Sequence, residues 1–143
     1  ISKKVDGLGS KNKKFKFIVT LNPNNQEINE NNNSVLNAVY GDVEFIDGKA
    51  IIELKADEVI LIPGLPVGYE YLVEEYDYSK EGYSTVSSGE RGIIEVNTLH
   101  KVIFTNTYVL NVDTADVVIA IVVLFIVSII LVRYFYKKKL FID

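Results

Sequence analysis

Apolar and polar residues alternate in short runs along most of the chain, and the pattern changes once, near its end. The period of two predicts β-strands over residues 1–5, 14–21, 42–46, 50–54, 58–62, 69–76, 92–96 and 101–109. Between them, Asp6-Gly7, Asp47-Gly48, Pro63-Gly64, Val67-Gly68, Glu81-Gly82 and Ser88-Gly89 supply the glycines that tight turns with positive φ require. No amphipathic helical period competes, so residues 1–110 read as one all-β domain, an antiparallel sandwich or barrel. The Asn-rich run over 22–34 has too little apolar surface to bury and reads as a mobile surface loop.

From Val117 to Val132 the chain is apolar on every side, and Arg133, Tyr134, Phe135, Tyr136 and Lys137-Lys138-Lys139 follow. A helix over 117–136 would be about 30 Å long, enough for one crossing of a bilayer. In lipid the Val and Ile content does not favour a strand, because unpaired backbone groups are too costly there. Aromatic residues suit the interface, and the lysines mark the cytoplasmic side. The expected topology is therefore single-pass, with residues 1–110 extracellular, 111–116 a juxtamembrane linker, and 137–143 a basic cytoplasmic tail.

Composition narrows the chemistry. Cysteine is absent, which removes a disulfide framework and thiolate chemistry from a domain expected outside the cell. Methionine is absent too, so the chain reads as the C-terminal piece of a longer precursor. A net charge of −4 with scattered basic residues leaves no footprint for nucleic acid. No cofactor or metal site is expected. His100 is the only histidine, without a nucleophile constellation around it, and Glu74 and Glu75 point to opposite faces, so a hydrolase has little support.

Strand parity exposes a less ordinary feature. Lys3 shares a face with Ile1 and Val5, Glu75 with Tyr71 and Val73, and Asn106 with Val102, Phe104 and Tyr108. Each polar side chain is thereby aimed at an apolar layer, where charges are rare unless paired. Periodicity alone leaves alternatives open: strands slip by one residue, edge lysines are common, and a glutamate near a strand end can be half wet. Lys4 and Glu74 are the neighbours of opposite parity.

The motifs in order are Lys3-Lys4-Val5-Asp6-Gly7, Phe15-Lys16-Phe17-Ile18-Val19, Gly64-Leu65-Pro66-Val67-Gly68 leading to Tyr71-Leu72-Val73-Glu74-Glu75, and Phe104-Thr105-Asn106-Thr107-Tyr108. Together they resemble the streptococcal pilin isopeptide-linkage domain family, relatives of the Cna B-type repeats. The resemblance implies an Ig-like β-sandwich on a Gram-positive surface protein or pilus. It also implies a spontaneous isopeptide bond, with Lys3 as nucleophile, Asn106 as the amide attacked and Glu75 as the proton shuttle. Such a reaction is a single self-modification, so the protein is not expected to be an enzyme. Residues 111–115 are similar to a degenerate cell-wall sorting signal that keeps Thr114, has Ala115 where glycine is usual, and lacks Leu-Pro. The partners so implied are the lipid bilayer, a sortase and the cell wall. The expected function is a stalk that displays an upstream region. The alternative is an adhesin for a host protein or glycan, using Tyr69, Tyr71, Tyr76, Tyr78 and Tyr83, although parity turns Tyr69 and Tyr71 inward.

Overall fold

The computed structural model describes residues 1–23, 35–109 and 114–140. Most of the Asn-rich run and the linker residues 111–113 lie outside the described residues. The chain divides into two compact units, Ile1–Val109 and Leu110–Asp143.

The first unit is an Ig-like β-sandwich. One sheet has the order β1-β9-β7, from β1 (Ser2–Gly7), β9 (Ile103–Tyr108) and β7 (Tyr83–Ser88). The other has the order β5-β2-β6-β8, from β5 (Lys49–Leu54), β2 (Phe15–Asn22), β6 (Glu70–Glu75) and β8 (Arg91–Ile93). A two-stranded ribbon of β3 (Val39–Tyr40) and β4 (Val43–Glu44) accompanies them. Alternation explains the inner faces. β2 buries Phe15, Phe17, Val19 and Leu21, β5 buries Ala50, Ile52 and Leu54, and β6 buries Tyr71 and Val73. The two layers meet through edge-on ring contacts, Phe17 against Phe104 at 5.1 Å and Phe15 against Tyr83 at 5.3 Å between centroids.

Among the described residues, pairing between strands is antiparallel with one exception. β1 runs parallel to β9, with Lys3 opposite Phe104 and Val5 opposite Asn106. Alternation fixes the face a residue occupies but not the strand beside it; only the resemblance, through the bond it implies between Lys3 and Asn106, puts the first and last strands side by side.

Three expected strands differ in extent. The run 58–62 contributes only a bridge from Val59 to Ser2, because Asp57 turns at φ 65° just before it. It still covers the outer edge of β1: Lys3 N–H donates to Glu58 O at 3.0 Å and Ile60 N–H to Ile1 O at 2.9 Å. The run 42–46 shortens to β4, and 92–96 shifts to β8. β7 was not predicted, since Tyr83-Ser84-Thr85-Val86-Ser87-Ser88 buries only Tyr83 and carries no apolar alternation.

In the second unit a 27-residue helix, α1 (Thr114–Leu140), contains a span from Ala115 to Lys137 long and apolar enough to cross a membrane.

Candidate functional site

Parity aims Lys3, Glu75 and Asn106 inward from three strands, and the sandwich buries all three side chains, with Lys3 against Glu75 and Asn106 on the strand beside that of Lys3. Lys3 and Asn106 are both 0% exposed, and the Glu75 side chain is 2% exposed. Lys4 and Glu74, the neighbours of opposite parity, are exposed. Lys3 and Asn106 come from adjacent parallel strands. Asn106 lies two residues beyond the partner of Lys3, so both face the same inner layer. Glu75 approaches from the opposite sheet, where it is paired across the strands with Phe17.

The Lys3 Nζ lies 2.8 Å from Glu75 Oε1, an ion-pair contact. Aromatic rings complete the lysine's surroundings: Nζ stands 4.2 Å from the Phe15 centroid and 5.9 Å from that of Phe17. Burial pushes the Lys3 ammonium below its ordinary pKa, and the contact with Glu75 opposes that shift without cancelling it. The Asn106 carboxamide is buried with neither its oxygen nor its nitrogen hydrogen-bonded. A buried amide left in that state costs about 1–3 kcal/mol in typical proteins. What the arrangement offers chemically is an amine whose charged form is disfavoured, an acid touching it, and an amide whose carbonyl and nitrogen are both uncommitted.

One further residue belongs to the site. Thr85 Oγ1 donates to Glu75 Oε2 at 3.1 Å, and Thr85 is the strand partner of Asn106 across β7 and β9. Sequence reasoning missed it because it placed no strand there. The signal available was parity with Tyr83, whose ring is buried.

The remaining sequence candidates lie elsewhere. Thr114 and Ala115 are the first residues of α1. His100 packs against Tyr71 with ring centroids 5.2 Å apart, its Nε2 buried, and borders an apolar cavity of about 590 Å³. The five tyrosines do not form an aromatic surface. Tyr69, Tyr71 and Tyr83 are buried, the Tyr78 hydroxyl accepts from Lys16 N–H at 2.9 Å, and only Tyr76 is exposed. Among the described residues no group of His, Cys, Asp or Glu could hold a metal ion.

A family model described as a domain of unknown function (DUF7601) matches residues 1–108. The chain belongs to this family. No curated protein matches the DUF7601 chain. Among solved structures it is similar to the pilus-presented adhesin Spy0125 (Cpa). A cysteine-to-alanine variant of that adhesin is 34% identical with a TM-score of 0.54, over 74% of this chain and 26% of the adhesin. Another crystal form of the adhesin gives 33% identity and a TM-score of 0.56, over 73% of this chain and 26% of that one. A glutamate-to-alanine variant of the major pilin from Streptococcus pyogenes is 28% identical with a TM-score of 0.50, over 74% of this chain and 45% of the pilin. The DUF7601 domain thus spans about a quarter of the adhesin and under half of the pilin.

Proposed function

We propose that this domain is a stalk module of a Gram-positive pilus-type surface protein, locked by a self-formed isopeptide bond between Lys3 and Asn106. The observation that carries the reading is the burial of a lysine, a glutamate and an unbonded asparagine amide in one apolar interior. Left unreacted, that set is a liability, since a buried ion pair seldom recovers its desolvation cost and an orphaned amide adds to it. Reaction removes the liability. Glu75 takes a proton from the Lys3 ammonium, the neutral Nζ attacks Cγ of Asn106, Glu75 passes that proton to Nδ2, the Cγ–Nδ2 bond breaks and ammonia departs, and Nζ gives its second proton to Glu75, leaving a neutral amide and a protonated Glu75. Folding holds amine and amide in place, which supplies the effective concentration. The solved structures of a pilus adhesin and a major pilin support the setting in which such a module works.

In this reading α1 holds the domain at the membrane, with the domain outside and the lysine cluster inside. Thr114 and Ala115 open α1, where helical backbone is a poor match for an extended sortase substrate, so we assign membrane retention over transfer to the cell wall by a sortase. The adhesin alternative loses its proposed aromatic surface, because four of its five tyrosines are packed or hydrogen-bonded.

The test is the intact mass of the full chain purified in detergent micelles. The expected mass falls short of the sequence by one ammonia, and Glu75→Ala and Asn106→Ala each restore it. A full mass in folded wild-type protein overturns the proposal.

A further inference from the structure

We infer that Thr85 is a positioning residue for isopeptide formation, holding the Glu75 carboxyl so that Oε1 alone carries the travelling proton; this rests on the function proposed above. The two oxygens of Glu75 have different partners. Oε1 touches Lys3 Nζ at 2.8 Å, and Oε2 accepts from the Thr85 hydroxyl at 3.1 Å. An oxygen that already accepts a hydrogen bond is the poorer site for a proton, so protonation falls on Oε1, the oxygen beside the amine. The same bond fixes the carboxyl's rotation, whose terminal torsion is otherwise broad.

The strand order makes this possible. Thr85 sits on β7 directly opposite Asn106 on β9, while Glu75 sits on β6 in the other sheet. The hydroxyl therefore ties the acid to the sheet that carries both reacting groups. Without it, Glu75 would depend on its contact with Lys3 alone, and that contact changes at every step of the reaction. The step itself stays balanced: Nζ–Cγ forms, Cγ–Nδ2 breaks, the Lys3 ammonium gives up two protons by way of Oε1, one passing on to Nδ2 and one remaining on Glu75, and ammonia leaves. Thr85 exchanges no proton in it.

Valine is nearly isosteric with threonine and suits an edge strand, so Thr85→Val removes the hydroxyl with little effect on the fold. Thr85→Ser keeps the hydroxyl and removes the methyl. The full chain is made by cell-free synthesis in detergent micelles, stopped at intervals with acid, and weighed for the loss of ammonia across a series of pH values. The expected result is bond formation slowed about tenfold or more in Thr85→Val, with a displaced pH profile, while Thr85→Ser stays within about twofold of wild type on the same profile. Equal rates and superimposed profiles for wild type and Thr85→Val would overturn the inference and leave the isopeptide reading standing. Equal slowing in both variants overturns it too, since any change in packing at this position, and not loss of the hydroxyl, would then set the rate. Wild-type chain that never loses ammonia removes both this inference and the function it rests on.

Discussion

At the scale of single residues, Lys3 controls how the unreacted domain responds to pH. Its ammonium is disfavoured by burial, so the folded-state pKa lies below the ordinary value of 10.5. The unfolded chain therefore holds the proton more tightly, and stability rises with pH from the lowered folded value up to 10.5. Below the folded value the penalty is present in full. Asn106→Ala blocks the bond and leaves the lysine in place. Its urea midpoint, less that of the Asn106→Ala, Lys3→Met double variant, is expected to climb as pH rises toward that limit. A pH-independent difference would contradict the burial argument. Parity in the sequence was enough to aim Lys3, Glu75 and Asn106 inward, because each lies in a strand with clear alternation. It could not supply Thr85, whose strand is serine-rich and solvent-facing, with only Tyr83 reporting its register.

At the scale of elements, the strand ends depend on turns that only glycine fits. Gly89, between β7 and β8, has φ 71°, and a Cβ there would come within 2.2 Å of Lys101 O. Gly89→Ala forces both a left-handed backbone and a collision with main chain. In the Asn106→Ala background it is expected to cost about 2 kcal/mol or more, read as a lower urea midpoint; an unchanged midpoint would mean the turn can rearrange. This turn was legible as Ser88-Gly89. So were β2, β5, β6 and β9, where alternation is strong and both ends are punctuated. The run 58–62 was not, since its apolar residues reflect partial cover over the edge of β1 and not membership of a ladder. The pairing of β1 and β9 was out of reach of patterning for a different reason, since apolar alternation carries no information about which neighbour a strand takes; it was legible only through the Lys3–Asn106 bond that the resemblance implies.

At the scale of the whole molecule, a bond from Lys3 to Asn106 would close about 100 residues into one covalent ring. If the entropy argument for disulfides applies, the ring contributes roughly 4 to 5 kcal/mol. Wild-type chain is accordingly expected to show a higher thermal midpoint than Asn106→Ala, and indistinguishable midpoints would mean that the cross-link constrains little of the unfolded chain. The pairing of β1 with β9 also governs timing. The two reacting side chains sit near opposite ends of the domain sequence and meet only after β9 is available, so the site cannot assemble on a partial domain. A chain still being synthesised or threaded through a narrow channel thus stays linear and passable. In the proposed function the lock would close once residue 106 is free, with only a few residues left before α1 begins at Thr114. A disulfide-free domain locked in this way would need no oxidant or helper enzyme to time its cross-link, because arrival of the last strand would be the trigger.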